Sequence, residues 1–194
     1  MGNNLPYKPN ITNDEINQLP INNFKGELFY IDTFKKLRKV MSDLKGSTVL
    51  GFDTETRPTF KKGRLNEVSL LQLSTKNKAF LFRLNKIGLP KEVKGILSDD
   101  SVLKIGVAIR DDISSLRKLD DFKPSGFIEL QEYVKNFGIE DSGLKKLVAN
   151  ILGFKISKRQ QTSNWEADEL TQAQILYAAT DAWVCQEIYH TLSQ

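Results

Sequence analysis

The sequence predicts an α/β domain with a mixed sheet of about five strands flanked by helices. Three observations carry this. Short apolar runs rich in Leu, Phe, Val and Ile recur through the first half of the chain, bounded by turn residues as strands are. Segments with apolar residues every three or four positions lie between and after them, which is the helix period. At 194 residues, 40% hydrophobic and 27% charged, the chain fits one domain large enough to bury a sizeable core.

Taken in order, residues 1 to about 23 are rich in Asn and Pro and read as a flexible leader, with the domain running over 24–194. Within the leader, Thr12-Asn13-Asp14-Glu15 is a capping box for a short helix over Asp14 to Gln18. Leu28 to Ile31 reads as a strand. Asp32 or Thr33 then caps a helix to about Leu44, with Phe34, Leu37, Val40, Met41 and Leu44 on one face. Thr48 to Thr54 is apolar on both faces until its end, so it is placed centrally in the sheet. Val68 to Ser74 and Ala79 to Leu84 are strands joined by the polar turn Thr75-Lys76-Asn77-Lys78. Pro90 opens a short helix to Leu97, because Pro suits a first helical turn. Val102 to Val107 is the fifth strand. The remainder is predicted helical, over about Asp111 to Leu119, Glu129 to Phe137, Gly143 to Leu152 and Gln172 to Leu192. The last of these again opens on a capping box, Thr171-Gln172-Ala173-Gln174.

Composition removes several chemistries. His190 is the only histidine and Cys185 the only cysteine. A His-based general base and a zinc site are thereby nearly excluded. No internal disulfide can form, which fits a reducing compartment, the cytoplasm. Met1 to Asn10 is polar with two prolines, unlike a signal peptide. The longest apolar runs fall far below the ~18 residues a membrane span needs. Myristoylation at Gly2 is rejected because Pro6 stands where Ser or Thr is required. Trp165 and Trp183 read as packing residues, Cys185 as a small buried hydrophobe, and His190 as a surface residue.

Chemistry must therefore run on carboxylates, Tyr, Lys or Arg, and the acids are patterned. Asp53 and Glu55 end the apolar run Val49-Leu50-Gly51-Phe52. Residues i and i+2 of a strand leave from one face, so the two carboxylates sit together. Two like charges so close cost free energy unless a cation lies between them. Tyr177 and Asp181, four apart on the last helix, also share a face. Asp111-Asp112 form a third acidic site after an apolar run, although Asp111 is also suited to capping a helix. Three separated acidic sites point to a divalent-metal phosphoesterase. Such chemistry needs an activated water and charge neutralised on a leaving oxygen, which two divalent ions supply; Mg²⁺ and Mn²⁺ prefer hard carboxylate oxygens. With a pKa of about 10, Tyr177 is a poor base at neutral pH and is expected to orient water instead.

A net charge of +4 and a pI near 9.0 are by themselves a weak nucleic-acid signal. Position strengthens it. Arg57, Lys61, Lys62 and Arg64 follow the Asp-x-Glu strand, and Lys155, Lys158 and Arg159 precede the tyrosine-bearing helix. A fold that gathers the carboxylates would rim them with these cations and hold a polyanion over the site. Solvated loops carry such residues as well.

The motifs are Gly51-Phe52-Asp53-Thr54-Glu55-Thr56-Arg57-Pro58 with Ser69-Leu70-Leu71-Gln72-Leu73-Ser74, then Lys104-Ile105-Gly106-Val107-Ala108-Ile109-Arg110-Asp111-Asp112, then Tyr177-Ala178-Ala179-Thr180-Asp181-Ala182 preceded by Ser163-Asn164-Trp165. Together, over about Gly26 to Leu192, they resemble the DEDD superfamily of 3′→5′ exonucleases in its tyrosine subclass (DEDDy). Werner-type exonuclease domains are the more similar branch, with ribonuclease D further away. The resemblance implies a ribonuclease H-like fold, two Mg²⁺ or Mn²⁺ ions, and Asp53, Glu55, Asp112 and Asp181 as metal ligands, with Tyr177 as the fifth catalytic residue. The spacing Gly106-Val107-x-Ile109-x-x-Asp112 matches the Werner-type pattern and puts the ligand at Asp112 rather than Asp111. The implied partner is nucleic acid with a single-stranded or recessed 3′ end, hydrolysed to nucleoside 5′-monophosphates; no membrane or organic cofactor is expected. DNA is the favoured substrate. Two other readings stand beside it, an exoribonuclease of ribonuclease D type and a non-catalytic nucleic-acid-binding module on the same fold.

Overall fold

Helix α1 (Asn13–Gln18) opens on the anticipated box: the Thr12 hydroxyl accepts from the Glu15 N–H, and the Glu15 carboxylate accepts from the Thr12 N–H at 2.8 Å. The computed structural model describes residues 6–59 and 66–194. Where a flexible leader is expected, the described residues are packed on the domain. Ile11 and Ile16 are buried against Ala149. The Ile11 N–H donates to Asp141 at 2.7 Å, and the Glu140 N–H donates to the Pro9 carbonyl at 2.8 Å. Ile21 then runs parallel to Lys155 in an isolated β-bridge. The apolar anchors are too sparse and irregular to register as a periodic pattern, so the Asn- and Pro-rich composition dominates the reading of the sequence.

The elements that follow are β1 (Glu27–Ile31), α2 (Phe34–Lys45), β2 (Val49–Thr56), β3 (Val68–Ser74), β4 (Lys78–Arg83), α3 (Leu84–Ile87), α4 (Lys91–Leu97), β5 (Leu103–Gly106), α5 (Ile109–Leu119), β6 (Phe127–Glu129), α6 (Leu130–Tyr133), α7 (Leu144–Leu147) and α8 (Gln172–Leu192). A tight 3-10 turn extends α6 over Val134–Phe137, and a wider π turn extends α7 over Val148–Leu152. The sheet order is β1-β4-β3-β2-β5-β6. Strand β3 alone runs antiparallel, to its partners β2 and β4, while β1 pairs with β4, β5 with β2 and β6 with β5 in parallel. The sheet has six strands rather than about five. The extra one, β6, is three half-buried residues, too short for an alternation to show, and its last residue, Glu129, is the one expected from sequence to open the following helix.

The core lies on both faces of this sheet. On one, Leu50, Phe52, Leu71 and Leu73 pack with Leu37, Leu44, Val93 and Leu116 of α2, α4 and α5. On the other, α8 crosses the strands. Its Ala178 and Ala179 sit with Leu70 and Leu81, and its Val184, Cys185 and Ile188 with Leu130, Val134 and Leu147. Helix α8 is thus covered by the sheet on one side and by residues 130–156 on the other, which accounts for its lack of a polar face. Among the described residues no helix is long and apolar enough to cross a membrane.

Candidate functional site

A glycine sets the distance between sheet and helix. A Cβ on Gly51 would stand 1.8 Å from the Ala182 carbonyl oxygen of α8, so only a residue without a side chain lets the helix backbone rest on β2 there. Strand alternation puts Gly51, Asp53 and Glu55 on the same face. The contact at Gly51 therefore seats Asp181, the neighbour of Ala182, against the two strand carboxylates. Asp53, Glu55 and Asp181 each offer a carboxylate oxygen, and these lie within 4.8 Å of one another.

The surroundings are hostile to this concentration of charge. Glu55 and Asp181 are 8% and 6% exposed, and Asp53 is half-buried at the floor of a cleft of about 200 Å³. Burial first, and then the charges of Asp181 and Asp112, hold Asp53 well above the usual carboxylate range. Burial, helped by Asp53, Asp181 and Asp112, pushes Glu55 up to about 10. Burial raises Asp181 to about 7, against the lowering effect of a hydrogen bond from Tyr177 and of the Lys158 charge. One oxygen of Asp181, Oδ1, is buried without a hydrogen-bond partner. Three clustered, hard, anionic oxygens, one of them unsatisfied, are the donor set that a divalent cation such as Mg²⁺ or Mn²⁺ neutralises.

Tyr177 is one turn before Asp181 and 9% exposed, with its hydroxyl bonded to the Asp181 carboxylate. Burial, then the Asp181 charge, raises its pKa, so the hydroxyl keeps its proton at neutral pH. Its ring lies 6.0 Å from that of Trp165, which is fully buried. The segment carrying Trp165 is tied to the sheet by Arg83, a fully buried guanidinium at the end of β4. Arg83 donates to the Ala167 carbonyl at 2.5 Å and also to the Tyr30 hydroxyl. Trp183 packs between Phe24 and Phe154, and Cys185 is buried beneath the cleft. Nothing in the sequence around Arg83 marks this tie, because its partners are backbone atoms 84 and 85 positions away.

Asp112 stands beside the cluster rather than in it. It lies in the first turn of α5, half-buried, and accepts a hydrogen bond from the Thr54 hydroxyl on the opposite face of β2 from Asp53. Burial, offset in part by that bond, raises its pKa. Asp111 is exposed, and it does not cap the helix, which starts two residues before it. The cap comes from far along the chain. Ala108, the one non-glycine residue with positive φ among those described (φ 58°), turns its own N–H and that of Ile109 toward the Glu129 carboxylate, each at 2.9 Å. A carboxylate on a helix N-terminus is favourable, and here it helps offset a left-handed alanine while fixing the start of the helix that carries Asp112. Glu129 escapes sequence reading because it sits 20 residues downstream with no local capping pattern.

The cations divide. Lys158 lines the cleft and acts on Asp181. Arg57, exposed, is ion-paired with the half-buried Glu166 at 3.0 Å. Lys155 is spent on the Asn17 carbonyl at 2.6 Å. Arg159 faces a neighbouring cavity. Lys61, Lys62 and Arg64 lie outside the described residues.

Comparison with known proteins identifies the family. A 3′-5′ exonuclease family model, DNA_pol_A_exo1, matches residues 28–194. The mouse bifunctional 3′-5′ exonuclease/ATP-dependent helicase WRN is 33% identical over 184 residues, covering 90% of this chain and 13% of that protein. The chain thus spans about an eighth of that relative. The crystal structure of the Aedes aegypti Nibbler EXO domain superposes with a TM-score of 0.76 at 29% identity, covering 89% of this chain and 91% of that one. Escherichia coli RNase D superposes with a TM-score of 0.75 over 89% of this chain and 44% of its own, at 23% identity, a likeness of fold alone.

Proposed function

The chain belongs to the 3′-5′ exonuclease family, as its motifs anticipate, and on that premise we propose that it hydrolyses the terminal phosphodiester at the 3′ end of nucleic acid. Its mixed sheet flanked by helices is the ribonuclease H-like α/β fold of its neighbours. The observation that carries the activity is the convergence of Asp53, Glu55 and Asp181 within 4.8 Å at the floor of a cleft. In this proposal the three bind two Mg²⁺ or Mn²⁺ ions together with Asp112, whose place beside the cluster lets it serve as the fourth ligand. When bound, such ions supply Lewis-acid polarisation of the phosphodiester and a lowered pKa for the attacking water.

The chain's own residues do the rest. Tyr177 keeps its proton, so it works as a fixed hydrogen-bonding group that orients the incoming water, its hydroxyl held by Asp181 and its ring braced by Trp165. Lys158 brings positive charge to the lining of the cleft that holds the acids, where an anionic strand must pass. Water adds to phosphorus, the bond from phosphorus to the 3′ oxygen of the preceding nucleoside breaks, and the products are a nucleoside 5′-monophosphate and a strand with a new 3′-hydroxyl. DNA is the favoured substrate, on the Werner-type motifs.

The test is to incubate matched single-stranded, recessed and blunt DNA, and the corresponding RNA, with Mg²⁺, Mn²⁺ or EDTA. Metal-dependent shortening supports the reading and names the nucleic acid; no hydrolysis of any of them would leave the binding-module reading in its place. Tyr177→Phe is expected to lower kcat about tenfold to a hundredfold with Mn²⁺ affinity unchanged, since it removes a positioning group and no ligand. A parallel fall in Mn²⁺ affinity would contradict that role. Glu129→Ala is expected to lower Mn²⁺ affinity about 10–100-fold in a calorimetric titration, because it frees the start of α5 and with it Asp112. Unchanged affinity would show that Asp112 does not depend on this cap.

A further inference from the structure

A second cavity, of about 280 Å³, opens on the other side of Tyr177 from the acidic cleft. The two share a wall. Tyr177 lines both, and the segment 156–161 sends Lys158 into the cleft and Arg159 into the second cavity. The far wall is the stretch Ile21-Asn22-Asn23, from the region that reads in sequence as a mere leader. That wall is fastened by hydrogen bonds of its backbone. The Asn22 N–H donates to the Lys155 carbonyl and the Lys155 N–H to the Pro20 carbonyl, each at 2.9 Å; the Phe24 N–H donates to the Thr180 side-chain hydroxyl at 3.2 Å. The cavity is therefore built into the fold.

We infer that this cavity is a subsite for one unpaired nucleobase flanking the scissile phosphate, so that residues 21–23 take part in recognising the substrate. The inference rests on the exonuclease reading above. Size comes first: at about 280 Å³ the space is close to the ~300 Å³ where small-molecule pockets begin, room for a single ring system. Its chemistry fits as well. The Asn23 side-chain amide carries a donor and an acceptor for a base edge, the Asn22 amide, whose oxygen accepts from the Asn23 N–H at 2.9 Å, adds a donor, and Ile21, 65% exposed, offers an apolar surface at the mouth. Arg159 has no ion-pair partner among the described residues and is suited to a phosphate. Consecutive cations with Cα atoms ~3.8 Å apart, one for each cavity, match a strand that passes from one to the other across Tyr177.

The experiment measures kcat/KM for the first cleavage of single strands that are intact, or that carry an abasic sugar at the last or the penultimate nucleoside. Wild type is compared with Asn23→Ala and with Ala173→Trp, which plugs the cavity from an exposed position on the first turn of α8. In wild type, one of the two abasic positions is expected to lower kcat/KM about tenfold, the scale of a single-strand base contact. In both variants the intact strand is expected to lose efficiency mainly through KM, and the same abasic position then to change it by less than about twofold, the signature of a coupled pair. Full abasic sensitivity retained in the variants, or none in wild type, overturns the subsite while leaving the exonuclease reading intact. Failure of wild type to shorten any strand sinks that reading, and the subsite with it.

Discussion

Gly51→Ala is expected to cost the protein about 3 kcal/mol or more, above the usual range for overpacking, because the added methyl meets backbone and not a side chain that can turn away. The Cβ would sit 1.8 Å from the Ala182 carbonyl oxygen and 2.6 Å from the Ser74 hydroxyl, so α8 has to lift off β2. In a domain of this size that corresponds to a melting temperature lower by about 6–12 °C. Whatever fraction still folds should hydrolyse slowly as well, since displacing Asp181 by ~1 Å relative to Asp53 is enough for a hundredfold loss. Gly95→Ala is the control. Gly95 is an exposed residue of α4 with open space around it, and alanine there should leave the melt unchanged or raise it slightly. If Gly51→Ala melted within about 2 °C of wild type at full activity, the close approach of α8 to β2 would not be what assembles the site.

Asp53→Asn should move activity and stability in opposite directions. Loss of a carboxylate from the proposed metal site removes several kcal/mol of transition-state stabilisation, about a thousandfold or more in rate. The metal-free fold should nevertheless become more stable at pH 8. Asp53, Glu55 and Asp181 all have folded-state pKa values above their ordinary ones, reaching about 10 at Glu55 and about 7 at Asp181. The folded protein then binds more protons than the unfolded chain, so the contribution of these groups to stability falls as pH rises from the ordinary carboxylate range toward the folded values. In EDTA, wild type should lose melting temperature between pH 5.5 and pH 8 relative to Asp53→Asn, which carries one fewer of the crowded charges. Mn²⁺ should restore wild type at pH 8 and do little for the variant. If wild type and variant kept a constant difference across that range in EDTA, the acids would not be in conflict.

Some of this was open to inspection in the chain. The carboxylates of Asp53 and Glu55 follow from the two-residue period of a strand, and Tyr177 with Asp181 from the turn of a helix. Strand β3 and helix α8 begin and end where the pattern puts them, the helix because Thr171 and Gln174 close a capping box. What stayed hidden depends on contacts distant in sequence. The start of α5 is fixed by a left-handed Ala108 and by Glu129 rather than by Asp111, and no local signal announces it. Asp112 is adjacent to the acids, but its bond is to Thr54, a choice that only packing can make. Gly51 looks like any strand glycine until α8 is laid across it. The leader looked loose because Ile11 and Ile16 are isolated, although each has a buried place to go.

The most direct measurement follows a 5′-labelled strand incubated in Mn²⁺ with wild type and, in parallel, with Asp53→Asn, together with the identity of the mononucleotide released. A ladder shortening one nucleotide at a time from the 3′ end, releasing nucleoside 5′-monophosphates and absent in the variant, is the result expected of hydrolysis at the cluster of Asp53, Glu55 and Asp181. Internal cuts, release of 3′-monophosphates, or equal rates in wild type and Asp53→Asn would contradict it.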